Sequence, residues 1–565
     1  MAKIKIIRHS LAHILAAAIQ KLYPNTKFGM GPDIENGFYY DFELQESISP
    51  EDFKKIEKKM RELIKNNIEF KKEVISKEKA KKIFKNQPYK LELLKDMEGE
   101  ISIYKSGDFI DLCKGPHVKN SKELPEKGFK IERVAGAYWK GDEKNKMLTR
   151  VYALAFNDKK TLNNFLEKKE KAKKRDHRKL GQELGLFMND EEVGAGLPLW
   201  KPKGALLRKN IENYLYKELS KQDYQWIVTP HIGKLSLWEK SGHWNMYREN
   251  MYSPIDIDDQ KYLIKPMNCP FHVKIYNSEI RSYKDLPIKY AELGTVYRYE
   301  RSGTLHGLTR VRGFTQDDAH IFCAPKQLEQ EATKLLKHGL SILSDFGFND
   351  YNIYLSTRPK KFAGTKEGWE KSTETLIRVL KGLKLDYKID QGGGVFYGPK
   401  IDIKIKDSLD REWQCTTIQI DFNLPERFNI TFINENGKKI KPFMIHRALI
   451  GSMERFIGVL IEHYGGAFPF WLAPVQTCII PIGEKYLQYA HQVAKELKNE
   501  NIKVKVWDEE ETLSNRIRKA EKQKIPYMIV VGGKEEKAKV INVRHHKKGE
   551  MGKMTIKEFI KETQK

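Results

Sequence analysis

The chain has little cysteine, no long apolar run and fewer acidic than basic residues. Its 565 residues hold five cysteines: Cys113, Cys269, Cys323, Cys415 and Cys478. They are few, odd in number and far apart. That excludes a secreted disulfide framework and favours a reducing, cytoplasmic setting. No run approaches the ~18 apolar residues that a membrane helix needs, so no membrane partner is expected. No G-x-x-x-x-G-K-[ST] occurs, which excludes a P-loop as the means of holding a nucleotide. Internal repeats and long low-complexity tracts are also missing.

What is abundant is positive charge. Lys and Arg number 102 against 76 Asp and Glu, a net charge of +26. A chain this basic points to a polyanionic partner, with nucleic acid foremost. A lysine-rich composition spread over solvated surfaces is the plainer alternative. One stretch imitates an export signal: Lys3 and Lys5 precede an apolar run with Ala16, Ala17 and Ala18. His13 inside it and Gln20 just after it favour an ordinary helix.

At ~100–200 residues per domain the length suggests three or four domains. Residues 1–157 read as an α+β unit. A helix is expected over 10–22, turns at Gly29, Gly31-Pro32 and Asn36-Gly37, and a strand over 38–42. Residues 51–82 read as charged and helical, and strands are expected near 100–112 and 147–156. Residues 158–187 are lysine-rich with helical spacing, which predicts a solvated connecting helix. Residues 188–473 form the largest unit. Leu207, Ile211, Tyr214, Leu215 and Leu219 share one helix face. Residues 226–229 read as a strand. Ile401, Ile403 and Ile405 alternate with polar residues as in a half-buried antiparallel strand. Residues 446–463 read as one long helix. Residues 474–565 alternate strand and helix, predicting a small α/β domain with a mostly parallel core.

Within the third unit, chemistry-bearing residues are scattered over about 190 positions. Cys269 lies in Pro-Met-Asn-Cys-Pro, His320 in Gln-Asp-Asp-Ala-His and His446 in Phe-Met-Ile-His-Arg. One thiolate and two imidazoles are ligands that zinc accepts, and three protein ligands leave a position open for substrate. Arg298, Arg310 and Arg455 suit phosphate or carboxylate recognition. Together these residues imply a zinc-assisted, nucleotide-using site.

These residues carry a resemblance. Tyr224-Gln225-Trp226-Ile227-Val228-Thr229-Pro230, Val296-Tyr297-Arg298-Tyr299-Glu300 and Gly451-Ser452-Met453-Glu454-Arg455-Phe456 resemble motifs 1, 2 and 3 of class II aminoacyl-tRNA synthetases. Residues 175–181, 266–270 and 314–320 are similar to signatures of the threonyl-tRNA synthetase family, and the resemblance runs from end to end. It implies that Cys269, His320 and His446 hold one zinc per subunit. It implies that Arg298 contacts the α-phosphate and the amino-acid carboxylate, Glu300 faces the adenine, and Arg310 and Arg455 hold the outer phosphates. Met267, Gln316, Asp318 and Tyr397 would surround L-threonine, with Gln414 reaching both substrates. Mg²⁺ would accompany ATP, and motif 1 would form a homodimer interface. His243 is a candidate for proton transfer at the tRNA ribose, with a purely structural histidine as the competing reading.

Zinc makes physical sense in such a pocket. Threonine and valine have nearly the same shape, and shape alone separates such a pair only ~100-fold. An open zinc position can take threonine's amino and hydroxyl groups together.

Serine keeps the hydroxyl, and one methyl is worth only ~1–3 kcal/mol, so a second sieve is needed. His9 and His13 sit at i and i+4, and Cys113 and His117 form a second spaced pair. Taken alone, the four are a plausible zinc set. The pattern resembles the editing domain shared by threonyl- and alanyl-tRNA synthetases. In the threonyl branch these residues position tRNA and water without an obligatory metal. Lys90, Tyr104 and Asp111 match further positions of that pocket. The last unit resembles an anticodon-binding domain, with Arg544 as its base-contacting candidate.

Two departures stand out. The family often begins with a small ubiquitin-like domain, and this chain is expected to lack it. The family also often has glycine after Cys-Pro, where Phe271 stands here. The expectation is an α+β multidomain chain: an α+β editing domain, a linker helix, a class II antiparallel sheet with helices, and a C-terminal α/β anticodon-binding domain. Its work would be threonine–tRNA(Thr) ligation with removal of serine. A tRNA-binding or editing paralogue without amino-acid activation is the alternative.

Overall fold

The computed structural model describes residues 2–407 and 411–564. It divides into two compact units, Met1–Glu170 and Lys171–Lys565, with the division inside the helix Lys159–Arg175.

In the first unit the helix Ala2–Leu22 is the central element. Every residue from Ser10 to Ile19 is buried. The helix packs on the strand Gly37–Glu43, the helix Phe53–Lys65 and the strands Ile101–Ser106 and Phe109–Leu112. Burial on all sides explains why the segment is apolar all round and imitates an export signal. Gly37–Glu43 and Met147–Ala155 are the inner strands of a five-stranded antiparallel sheet. A second antiparallel sheet joins Phe70–Ile75, Ile101–Ser106 and Phe109–Leu112. The expected helix over 51–82 is therefore interrupted by Phe70–Ile75. Exposed Lys71 and Lys72 and half-buried Glu73 lie in its middle, so charge concealed the strand.

In the second unit, the connecting segment breaks at Asp176, whose side chain caps the helix His177–Glu183 by accepting from the Arg178 amide at 2.8 Å. This last part buries one face, His177, Leu180 and Gly181, and leaves Arg178, Lys179, Gln182 and Glu183 in solvent. The unit centres on an eight-stranded sheet, ordered Gln225–Trp226, Ile288–Tyr297, Gly313–Cys323, Phe443–Ser452, Glu412–Asp421, Lys400–Lys406, Tyr351–Ser356, Lys388–Asp390. All pairs are antiparallel except the outermost at each edge. The helices Pro202–Ser220, Leu328–Asp345, Lys366–Gly382 and Met453–Tyr464 contribute to its core.

Two expectations fail here. Only Gln225–Trp226 pairs as strand, and Val228 projects 91% exposed. His446 lies not on a helix but in the strand Phe443–Ser452, and the helix begins at Met453. That strand is central and buried on both faces. Its apolar triplets 443–445 and 448–450 flank His446 and Arg447 without alternating, a pattern that periodicity cannot separate from a helix. The junction is Gly451, at φ +78, where an added Cβ would come within 3.0 Å of the Cys415 carbonyl. Ser452 then caps the helix by accepting from the Arg455 amide at 3.2 Å.

The last segment has a five-stranded sheet ordered Val504–Val506, Thr477–Pro481, Tyr527–Val531, Ile541–His545, Gly549–Met554. The first two pairs are parallel and the last two antiparallel. The core is thus mixed rather than mostly parallel, because a C-terminal hairpin extends it.

Candidate active site and a second histidine cluster

A cavity of about 350 Å³ opens on the central sheet. Its lining includes Cys269, His320, His446, Arg298, Arg455, Met267, Gln316, Asp318, Tyr397 and Gln414. Residues separated by up to 188 positions thus share one wall. Strand pairing does most of this work. His320 and His446 are directly opposed on neighbouring strands, and Cys269 opens the helix Cys269–Tyr276.

One ligand atom from each of Cys269, His320 and His446 lies within 4.8 Å of the other two. The surrounding carboxylates set the tautomers. His446 Nε2 donates to Asp421 Oδ2 at 2.9 Å, which leaves Nδ1 as a lone pair. His272 Nε2 donates to Glu292 Oε2 at 3.0 Å, so its Nδ1 accepts from His320 Nδ1 at 2.9 Å. His320 Nε2 is then also a lone pair. These two inward nitrogens stand 3.0 Å apart. Facing lone pairs repel unless a cation lies between them, so the donor set fits zinc. Burial pushes the Cys269 thiol well up, with Asp318 and Asp421 adding to the shift, and pushes His320 well down.

The arginine-bearing side of the cavity is built where the strands end. Arg298 Nε donates to the Pro266 carbonyl at 3.2 Å, and its guanidinium lies over Phe314. Arg455 Nε donates to the Thr309 carbonyl at 3.1 Å. Asp317 fills the bulge in its strand and accepts from the Leu449, Ile450 and Gly451 amides at 2.7, 3.2 and 2.9 Å. That carboxylate fixes the turn that presents Arg455. Glu300 and Arg310 pair with each other at 3.8 Å and lie outside the cavity lining.

Beside the metal-type donors, Tyr397 stacks on His446 and donates to Gln419 at 2.6 Å. Asn268 donates to Asp318 at 3.0 Å. Gln414 donates to Asp402 at 2.7 Å and to Thr417 at 2.8 Å. His243 is fully buried behind the thiol, with Nε2 3.6 Å from Cys269 Sγ. Burial pushes its pKa down to about 3, so the ring is neutral. Phe271 packs edge-on against Trp238 and beside Gly233, outside the cavity lining. No short motif marks His272, Glu292, Asp421 or Asp402 as part of the site. His272 stands one residue after Phe271, and only its distant partners reveal it.

The first unit holds a second cluster. One ligand atom from each of His9, His13, Cys113 and His117 lies within 4.8 Å of the other three. Cys113 Sγ lies 3.4 Å from His9 Nε2 and 3.1 Å from His117 Nε2. Ser10 joins the group, 3.1 Å from His117 Nδ1. Burial lowers all three histidines and raises Cys113 to about 11. The expected neighbours are present. Lys90 and Asp111 form a buried ion pair, His13 approaches Asp111 at 3.7 Å, and Tyr104 lies edge-on to His117. Tyr40, not singled out from sequence, donates to Asp111 at 2.6 Å and accepts from Lys90 at 3.2 Å.

In the last segment Arg544 is half-exposed on Ile541–His545 and pairs with Glu521 at 3.2 Å. Among the described residues, no helix is long and apolar enough to cross a membrane.

Similarity to known proteins follows the same division. Residues 101–152 match the "Threonyl and Alanyl tRNA synthetase second additional domain". Residues 252–464 match the "tRNA synthetase class II core domain (G, H, P, S and T)", and 476–565 the "Anticodon binding domain". The chain is 50% identical over 556 residues to a threonine–tRNA ligase of Borreliella afzelii, covering 98% of this chain and 96% of that one. It is 52% identical to one of Dehalococcoides mccartyi, covering 96% and 93%. A crystal structure described as the RNA binding domain of threonyl-tRNA synthetase from Cryptosporidium parvum superposes with a TM-score of 0.67. It is 39% identical and covers 69% of this chain and 98% of that one. Full-length identity and a core that brings motifs 2 and 3 to one cavity place the chain in the threonine–tRNA ligase family of class II aminoacyl-tRNA synthetases.

Proposed function

We propose that this chain activates L-threonine with ATP, passes it from the adenylate to tRNA(Thr), and hydrolyses Ser-tRNA(Thr) in its first unit. The observation that carries this reading is the shared cavity. Three metal-type donors, Asp318 and the arginines Arg298 and Arg455 are among the residues lining one space of about 350 Å³. A binding module has no need of that convergence.

Cys269, His320 and His446 would hold one Zn²⁺. When bound, it would supply a Lewis-acid site for the amino and hydroxyl groups that distinguish threonine from valine. Asp318, beside that site, suits the substrate ammonium group. Tyr397, Met267, Gln316 and Gln414 enclose the amino acid. Arg298 would hold the threonine carboxylate against the α-phosphate of ATP, whose Mg²⁺ accompanies it. The carboxylate oxygen attacks phosphorus, the α–β bond breaks and pyrophosphate leaves. Arg455 and Arg310 would neutralise the outer phosphates, and Glu300 would face the adenine. Proton transfer at the ribose by His243 requires its ring to swing into the cavity. In the arrangement described it supports the thiol.

In the second cluster Lys90, Asp111 and Tyr104 would join His9, His13, Cys113 and His117 in orienting the misacylated ester and a water. The resident groups bond to one another, which supports a metal-free reading. Arg544 would contact anticodon bases. A homodimer through motif 1 would cover the exposed Val228, and the free cysteines suit the cytoplasm.

The test is pyrophosphate exchange with threonine, serine and valine, with and without a zinc chelator, followed by hydrolysis of Ser-tRNA(Thr). Threonine-dependent exchange lost on chelation supports the ligase. No exchange with any amino acid in folded, metal-loaded protein rejects it.

A further inference from the structure

The residue His177 lies outside both clusters, yet it is fully buried. It opens the helix His177–Glu183 and touches two functional segments at once. The Leu308 amide donates to His177 Nε2 at 3.0 Å. An amide can only donate, so Nε2 is the acceptor and Nδ1 carries the proton. Nδ1 then donates to Glu462 Oε1 at 2.7 Å, near the C-terminal end of the helix that carries Arg455. Asp176, His177 and Glu462 are close enough to share a metal. Both ring nitrogens of His177 are already engaged, however, so the set reads as a clamp.

The clamped loop is the one that carries the nucleotide residues. Leu308 is two positions before Arg310, and the Thr309 carbonyl accepts from Arg455 Nε at 3.1 Å. The loop closes on itself through the His306 amide to the Arg310 carbonyl at 3.1 Å. Two glycines admit the clamp. A Cβ on Gly307, at φ +49, would meet His177 Nε2 at 2.1 Å. A Cβ on Gly458 would sit 3.3 Å from Leu308 and 3.5 Å from His177. The imidazole therefore occupies the angle between the loop and the Arg455 helix.

We infer that His177 is a positioning residue for nucleotide binding, holding the 306–310 loop through Leu308 so that Arg310 and Arg455 keep a fixed separation. The inference rests on the nucleotide role proposed above for those arginines. It predicts that the two ring nitrogens do separable work.

His177→Asn keeps a donor toward Glu462 and loses the Leu308 acceptor. His177→Gln places an acceptor near the position of Nε2. Threonine-dependent pyrophosphate exchange should show KM for ATP about tenfold higher in H177N, the scale of one hydrogen bond, with KM for threonine little changed. H177Q should stay within roughly twofold of the parent. Native-state hydrogen exchange at the Leu308 amide, measured without ligand, should accelerate in H177N and not in H177Q. Equal Leu308 protection in the parent and both variants overturns the inference. Parallel losses in KM and thermal midpoint for both variants also overturn it, since they mark a structural histidine alone. A parent enzyme with no threonine-dependent exchange refutes the functional reading instead, and Leu308 exchange still decides the clamp.

Discussion

His320 and His446 oppose each other on neighbouring antiparallel strands, with Nε2 of one 3.0 Å from Nδ1 of the other. Each ring is oriented from its far side. Asp421 holds His446 directly, whereas Glu292 acts on His320 through His272. The two lone pairs turned toward Cys269 are thus a product of carboxylates on other strands.

This relay predicts the effect of breaking it. His272→Ala or Glu292→Gln should weaken zinc binding by roughly 10–100-fold, as expected for loss of an outer hydrogen bond to a metal ligand. Competition against a chromophoric chelator measures this without reference to activity. Unchanged affinity in both variants would remove the relay from the account.

The arginines should be far less forgiving. Arg298→Ala and Arg455→Ala should each lower threonine-dependent exchange by roughly 10²–10³, the scale of losing one preorganised charge-stabilising group. Arg455→Lys should not recover fully, because a point charge cannot replace a planar fork. The measurement is steady-state exchange beside a thermal melt. A mild loss in Arg298→Ala with a normal melt would place the α-phosphate elsewhere.

The second cluster makes a prediction about pH. Burial raises the Cys113 thiol to about 11, so at pH 7 the thiolate fraction is on the order of one in ten thousand. Deprotonation proceeds as pH rises, so alkylation by iodoacetamide should be slow at pH 7 and accelerate toward pH 11. Cys113→Ala should let Ser-tRNA(Thr) accumulate while leaving pyrophosphate exchange intact. Fast labelling at pH 7 would contradict the neutral thiol.

Legibility from sequence followed the range of each interaction. The Pro202–Ser220 helix and the Lys400–Lys406 strand were readable because each has one apolar face, which imprints a period. Phe443–Ser452 was not, because a strand buried on both faces loses its alternation. Phe70–Ile75 was hidden by its exposed Lys71 and Lys72 and its half-buried Glu73. The cavity residues were legible through short motifs that carry Cys269, Arg298 and Arg455. Their support was not. His272 matters because of His320, 48 positions away, and Tyr40 because of Asp111, 71 positions away. No local pattern records such pairs.

The expected strand over 226–229 failed in a way that bears on assembly. Pairing stops at Trp226, yet the segment stays anchored. The Ile227 amide donates to the Ala291 carbonyl at 3.0 Å, and the Thr229 amide to Glu292 at 2.8 Å. Between these anchors Val228 stands 91% exposed, and the exposed Tyr216 stacks on Trp226 nearby. In the homodimer proposed through motif 1, a second copy would cover Val228. Val228→Asp would bring a charge into that contact, and the dimer dissociation constant should rise roughly 100-fold. Sedimentation over a concentration series reads this directly. The melt of each subunit should be little changed, because Val228 touches little of its own fold. If V228D sediments as the parent does at every concentration, motif 1 is not the interface and the homodimer must be sought on another face.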